Sequence, residues 1–218
     1  MSWRPRAAGA FMASAVVLAL AGCGSSSPPS PAATPSTGAS VRDLSTLEAA
    51  ATAMEGAPGY RFTAAVVVAT ATTKVVGVFQ APDRVQETIN APGATPVEVV
   101  FTGSQAFVRQ AGGKWFRPTT PPSPAQSDPR AAFGALSGAQ DVTYVAGWYQ
   151  FKLSASAAAQ LLQAGGGPVG SGTGRAHLSG SGIDRLELNL VRAGRVADIS
   201  LEYSDVGSAP PVTQPVLG

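Results

Sequence analysis

Apolar and polar residues alternate along much of the chain between Tyr60 and Tyr203, as they do in strands that bury one face. The end of this region shows the alternation most clearly, on both sides of a turn at residues 193–194. The alternating apolar residues are Leu186, Leu188, Leu190, Ala197, Ile199, Leu201 and Tyr203, and the charged residues between them are Arg185, Glu187, Asp198 and Glu202. This pattern predicts a hairpin with one buried and one solvated face.

Similar patterns predict further strands, separated by short turns that contain Gly, Pro or Asp. These strands are expected over 60–68, 73–80, 85–89, 97–101, 105–110, 114–117, 142–146 and 149–153, and the strand pattern resumes after residue 165. The pair 105–110 and 114–117 should form a hairpin around Gly112-Gly113. Short connections favour antiparallel pairing of consecutive strands, so the expected arrangement is a meander.

Three segments predict helices instead of strands. The first, over 41–56, repeats apolar residues at three- and four-residue spacing. The second begins at Asp128-Pro129, which supply an N-cap and a first-turn proline. The third is alanine-rich, is capped by Ser154 or Ser156, and ends at Gly165. About ten strands and three helices predict an α+β fold, with a single strongly curved antiparallel β-sheet, a half-barrel, whose concave face the helices cover. Incomplete filling of that concavity would leave a pocket.

The N-terminal region has a different pattern. Arg4 and Arg6 precede an apolar run over 7–21, which is too short to cross a bilayer and predicts a signal peptide over residues 1–22. Leu20-Ala21-Gly22-Cys23 closes this leader and resembles the lipobox of bacterial lipoproteins. By that resemblance Cys23 is the lipid attachment site, which receives a diacylglyceryl group and becomes the first mature residue. The alternative is a free or buried cysteine beside an ordinary cleavage site.

Residues 24–40 are rich in Ser, Pro and Thr, so they cannot bury much apolar surface and should form a flexible tether. One acyl chain anchors a protein only marginally, whereas two hold it firmly. We therefore expect a signal peptide over 1–22, lipidated Cys23 with its tether over 23–40, and one domain over 41–218. The expected location is the extracytoplasmic face of the cell membrane.

Charge and composition narrow the possible functions. Arg4 and Arg6 belong to the leader, so the remaining basic residues balance the 13 acidic residues, and we expect no nucleic-acid partner. Cys23 is the only cysteine, which excludes an intrachain disulfide. Charged residues make up 13% of the chain, against a usual share of about 25%. Space lined by apolar residues would account for this shortfall, and GC-rich codon bias would give the same composition.

Several packing and turn motifs resemble the LppX/LprG-type lipoproteins of actinobacteria. They are Tyr60-Arg61-Phe62, Gly77-Val78-Phe79-Gln80-Ala81-Pro82-Asp83-Arg84, Ala106-Phe107-Val108-Arg109, Lys114-Trp115, Asp128-Pro129 and Tyr203-Ser204-Asp205-Val206-Gly207. The resemblance extends from Leu44 to Pro215 and implies the fold of the LolA-like periplasmic lipoprotein carriers, a curved sheet with helices over a hydrophobic cavity. It also implies a ligand class, a lipid or acylated glycolipid, without identifying the ligand.

Signals for catalysis and cofactors are weak. His177 is the only histidine and is expected to be exposed or hydrogen-bonded, so we expect no metal site. No serine lies in a Gly-x-Ser-x-Gly motif, and the glycines over 165–170 lie between a helix and a strand, the reverse of the dinucleotide-binding order. The acidic residues of the last hairpin fit its solvated face. We therefore expect neither an enzyme nor a cofactor.

The leading interpretation is a lipid-anchored protein that binds or carries a lipid or lipidated molecule. Residues expected to line its cavity are Phe62, Val66, Phe79, Phe101, Phe107, Phe133, Leu136 and Leu161, although each of them also suits an ordinary core. The alternative is an interaction or sensor module with a filled core, in which the outer surface or loop 118–127 contacts another envelope protein. A continuous apolar cavity would favour the first function and a filled interior the second.

Overall fold

The computed structural model describes residues 41–122, 127–161, 169–180, 182–192 and 194–218. The predicted signal peptide, Cys23, the tether and the predicted end of the third helix at Gly165 lie outside the described residues. The strands are β1 (Gly59–Val68), β2 (Ala71–Gln80), β3 (Arg84–Asn90), β4 (Val97–Thr102), β5 (Gln105–Gln110), β6 (Ala139–Val145), β7 (Trp148–Leu153), β8 (Val169–Ser179), β9 (Gly182–Arg192) and β10 (Arg195–Ser204).

All ten strands belong to one antiparallel sheet with the order β5-β4-β3-β2-β1-β10-β9-β8-β7-β6. Two meanders, β1–β5 and β6–β10, therefore meet where β1 pairs with β10, and β5 and β6 form the two edges. The sheet is curved and is not closed into a barrel. The predicted α+β half-barrel is confirmed, and so is the register of the last hairpin, in which Leu188 lies opposite Ile199.

Three helices accompany the sheet: α1 (Val41–Glu55), α2 (Ala131–Gly134), which continues into a 3-10 turn over Ala135–Gly138, and α3 (Ala155–Leu161). α1 lies against β6 and β9, and α3 lies against β7 and β8. Ser154 caps α3, because its hydroxyl accepts a hydrogen bond from the Ala157 backbone N–H at 3.2 Å. The face of the sheet that carries the helices is called the inner face below.

Two local predictions need correction. Asp128 does not cap α2 directly, because its carboxylate accepts the backbone N–H of Arg130 at 2.9 Å and closes a turn before the helix begins at Ala131. The predicted strand over 114–117 is reduced to one bridge, in which Phe116 and Val108 exchange two backbone hydrogen bonds of 3.0 Å. Pro118 lies two residues after the bridging Phe116, and proline has no N–H with which to extend the pairing.

Candidate functional site

Directly paired residues form rows across the inner face, and the row nearest the loops after β2 and β4 is sealed. Phe101, Val85, Phe79 and Tyr60 pair in sequence across β4, β3, β2 and β1, and each is buried. Phe133 of α2 covers this row, with its ring centroid 6.0 Å from that of Tyr60. The Arg130 guanidinium lies 4.8 Å above the Phe79 ring. This end of the half-barrel is therefore filled core.

A parallel row on the same face is only partly covered. Val97, Ile89, Val75, Ala64 and Leu201 pair in sequence across β4, β3, β2, β1 and β10, and every one of them is partly exposed. The next pair along β1 and β10, Val66 and Ile199, is partly exposed as well. These seven residues are called the apolar strip. The main sheet contacts of α1 and α3 are with β6–β9, whereas the strip lies on β1–β4 and β10.

A carboxyl group lies between the sealed row and the apolar strip. Glu87 of β3 pairs with Gly77 and Val99, and it is only 6% exposed. It is the one buried charged residue in the part of the chain that the structure describes. The Ser127 hydroxyl donates a hydrogen bond of 2.8 Å to its Oε1. Burial raises the pKa of Glu87 to about 7, and the hydrogen bond from Ser127 opposes this shift.

The position beside Glu87 on β2 must be a glycine. A Cβ atom on Gly77 would overlap the Phe62 ring and would approach the Gln86 backbone oxygen to 2.7 Å. The Phe62 ring therefore occupies the space that a side chain at position 77 would take. As a result, an aromatic ring lies on one side of Glu87 and Val99 lies on the other.

Two tyrosine hydroxyls are buried in the aromatic cluster beneath α2. Tyr60 and Tyr203 have ring centroids 5.6 Å apart, and both rings also contact Phe133. Within the described ranges, neither hydroxyl has a hydrogen-bond partner. Burial is the main cause that raises the pKa of each phenol above its ordinary value, so both stay protonated at neutral pH.

The structure places the candidate lining residues in three settings. Phe62, Phe79, Phe101, Phe133 and Leu136 belong to one buried core, Leu161 packs partly exposed against that core, and Val66 lies on the apolar strip. Phe107 differs from the prediction, because it packs with Val100 and Val212 on the opposite, outer face. Of the predicted lining residues, Val66 has the most direct access to open apolar surface.

The outer face differs between the two meanders. The segment after β10 crosses the outer face of the first meander, where buried Val212 covers Val100 and Phe107. The second meander instead carries an open groove of about 910 Å³ on this face. Two ion pairs in the groove, Asp141–Lys152 at 2.8 Å and Arg175–Glu187 at 2.7 Å, neutralise their charges, and the Asn189 amide donates a hydrogen bond of 2.7 Å to the Asp198 carboxylate. A smaller pocket of about 290 Å³ lies near Arg61 and Arg185.

His177 has a local partner, as expected. Its Nδ1 lies 2.7 Å from Asp184 Oδ1, and its ring contacts Trp148 with centroids 5.4 Å apart. No group of three or more His, Cys, Asp or Glu side chains in the described ranges is arranged to hold a metal ion. None of the helices described here combines the length and apolarity needed to span a membrane.

Sequence reasoning did not single out Glu87, although a signal for it was present. The period of two places it on the same face as Val85 and Ile89, which are inner-face residues. A charged residue between two inward apolar residues of one strand indicates either a partner across the core or a functional group. The apolar strip had no local signal, because its exposure depends on where distant helices end.

Comparisons with known proteins identify the fold. No family model matches the chain, and no curated protein matches it. Among solved structures, the chain is similar to the lipoprotein LppX of Mycobacterium tuberculosis, with a TM-score of 0.56 and 15% identity over 79% of this chain and 98% of LppX. It is equally similar to LprF of Mycobacterium bovis, with a TM-score of 0.56 and 14% identity over 82% of this chain and 99% of LprF. The LppX-type fold expected from the sequence is thus confirmed.

Proposed function

We propose that this protein is a lipid-anchored, extracytoplasmic lipoprotein that binds or carries a lipid or lipidated molecule, without catalysing a reaction. The observation that carries this proposal is the apolar strip, seven paired apolar residues that stay partly exposed on the inner face of a half-barrel. Exposed apolar surface that lines a concavity is typical of a ligand site. LppX, whose fold the chain shares, is itself a lipoprotein, which supports the lipid-anchored part of the proposal.

Transfer of an acyl chain to such a surface has ample driving force. Each methylene removed from water contributes about 0.8 kcal/mol, so about fourteen methylenes would contribute about 11 kcal/mol before the costs of association. An acyl chain can lie across paired strands, because its apolar contacts need no hydrogen-bonding partners. The polar headgroup would then stay at the open edge of the strip, in contact with water.

Membrane attachment belongs to the same proposal. The lipobox ending at Cys23 and the Ser/Pro/Thr-rich tether support a diacylated N-terminus that keeps the domain at the cell membrane. Metabolic labelling with a clickable fatty acid should label the wild-type protein. Label that persists after Cys23→Ala would contradict lipidation at this residue.

Native mass spectrometry of the protein from its own host tests ligand binding. The wild-type protein should carry a lipid adduct in addition to any N-terminal acylation, and Val66→Trp should lose that adduct because the indole fills part of the apolar strip. Val67→Trp is the matched control, since it adds the same side chain at the next position of β1, on the outer face, where Val67 lines the groove. Circular dichroism should show both variants folded.

The outer groove favours a second candidate function. Its open lining combines apolar side chains with the ion pairs Asp141–Lys152 and Arg175–Glu187, and such a mixed surface suits an interaction or sensor module that contacts another envelope protein. Under this alternative, the wild-type protein would carry no adduct beyond its anchor. Loss of an adduct in Val67→Trp and not in Val66→Trp would place the ligand in the groove and contradict the inner-face proposal.

A further inference from the structure

Glu87 is poorly explained as a stabilising residue. Along β3 its same-face neighbours are buried Val85 and strip residue Ile89, and it has no ion-pair partner in the described part of the chain. Ser127 supplies the one hydrogen bond that the structure shows for its carboxyl group. A buried carboxyl with so little compensation costs stability, and an apolar side chain of similar volume is often neutral or better at such a site.

The position of Glu87 brings its carboxyl group close to the proposed ligand. Side chains at positions i and i+2 of a strand lie on one face about 7 Å apart, so Glu87 is a direct neighbour of Ile89 on the apolar strip. Val97 and Val75, which pair with Ile89, are its diagonal neighbours. A chain that lies across Ile89 would therefore pass within reach of this carboxyl group.

We propose that Glu87 is a binding residue that selects lipids with a hydroxyl group on the part of the molecule that lies on the apolar strip. This inference rests on the proposed function and names a subclass of its ligand. A hydroxyl both donates and accepts hydrogen bonds, so it pairs with a carboxyl group in either protonation state. An anionic group would be repelled by the ionised form.

The burial of Glu87 also favours a ligand with a hydroxyl group. A carboxyl group whose pKa is about 7 is largely protonated just below neutral pH, and it then offers one donor and further acceptor capacity. A permanently cationic ligand would require the charged form that burial disfavours. The Phe62 ring and Val99 flank Glu87, so a hydrogen bond formed there would face less competition from water.

Photo-crosslinking of the full-length protein in lipid nanodiscs tests this inference. The probes are two photoactivatable octadecanoic acids that differ only by a mid-chain hydroxyl, and cross-linked peptides from β1–β4 are quantified by mass spectrometry. The wild-type protein should prefer the hydroxylated probe by about fivefold, the selectivity expected of one hydrogen bond. Glu87→Leu should abolish the preference, and Glu87→Gln, which keeps a donor and an acceptor, should retain most of it.

Glu202→Gln, on the exposed outer face of β10, is the matched control and should keep the wild-type preference. Glu87→Met gives a second apolar variant if Glu87→Leu does not fold. Equal labelling by the two probes in the wild-type protein, or a preference that survives Glu87→Leu, would overturn the role of Glu87 and leave lipid binding intact. If neither probe labels the strip, the proposed function fails, and the inference fails with it.

Discussion

The two meanders of the sheet are covered on opposite faces. Across β6–β9, α1 and α3 lie on the inner face and the outer face keeps an open groove that contains two ion pairs. In β1–β5, the C-terminal segment packs on the outer face, while the apolar strip, which continues onto β10, stays partly open on the inner face. One sheet therefore offers two different open surfaces, an apolar strip inside and a groove with ion-paired charges outside.

Side-chain chemistry explains this division. The outer face of the first meander carries Val100 and Phe107, which are 2% and 0% exposed, so it needs a cover. Val212 supplies it, and two hydrogen bonds hold the segment in place: its N–H donates to Gln80 Oε1 at 2.9 Å, and Arg84 donates to its carbonyl oxygen at 3.2 Å. The outer face of the second meander carries exposed charged residues, including the ion pairs Asp141–Lys152 and Arg175–Glu187, and these residues are well solvated without a cover.

The largest expected effect is the loss of unfolding free energy when a covered leucine is truncated to alanine, compared with the loss for a partly exposed leucine. Leu186 and Leu201 pair directly across β9 and β10, but Leu186 is 0% exposed whereas Leu201 is partly exposed on the apolar strip. Leu186→Ala should lower the free energy of unfolding by about 2–5 kcal/mol, and Leu201→Ala by less than half as much. Urea denaturation of ligand-free protein measures both. Equal losses would mean that the strip is as well covered as the core.

The next effect depends on pH and concerns Glu87. Its pKa is raised from 4.5 to about 7, so below about pH 4.5 the group is protonated in both the folded and unfolded states and favours neither. As the pH rises towards 7, the unfolded chain ionises first, and the free energy of unfolding falls by about 1.4 kcal/mol per pH unit. The unfolding free energy lost over this range, about 3 kcal/mol in total, is not regained at higher pH.

Glu87→Gln should remove this dependence. Between about pH 5 and pH 8, the wild-type protein should lose about 2–3 kcal/mol of unfolding free energy relative to Glu87→Gln. Glu202→Gln is the control and should follow the wild-type profile. Parallel stability profiles for wild type and Glu87→Gln would show that Glu87 is accessible to water.

A smaller effect tests the cover on the outer face. Val212→Ala removes two buried methyl groups and should cost about 2 kcal/mol of unfolding free energy. Val216→Ala is the matched control in the same segment, because Val216 is 88% exposed and its truncation should cost less than about 0.5 kcal/mol. Similar losses for the two variants would contradict a covering role for Val212.

The smallest effect is expected in the groove. Asp198 is exposed and accepts one hydrogen bond of 2.7 Å from Asn189. Asp198→Ala should change the free energy of unfolding by less than about 0.5 kcal/mol, as is usual for exposed polar contacts. A loss of several kcal/mol in thermal denaturation would mean that the groove contributes to the stability of the second meander.

The sequence predicted the sheet well because its information is local. Strict alternation fixed the last hairpin, in which Leu186, Leu188 and Leu190 share the inner face. The run Ala106-Phe107-Val108 is apolar at every position, so it could not reveal which face Phe107 occupies. Val212, which covers Phe107 in the structure, lies far along the chain, so no local pattern connects the two residues.

The candidate site was harder to predict, because partial exposure depends on tertiary packing. Val66 was correctly placed on the inner face, but its neighbours on the apolar strip were not identified. Their openness follows from the helices lying over β6–β9, which no local pattern of β1–β4 records. Glu87 had a local signal in its position between Val85 and Ile89, yet charged side chains on strands usually face water.

The central pairing of β1 with β10 also sets the order in which the chain can fold. Every other neighbouring pair of strands is consecutive in sequence, so most hairpins can form from short, fast-closing loops. The β1–β10 seam joins the first strand to the last and must wait until the whole domain has been synthesised. We expect pulsed hydrogen exchange during refolding to protect β1–β2 amides before those between β1 and β10. A chain of this topology therefore stays divided into two separate meanders until its last strand arrives.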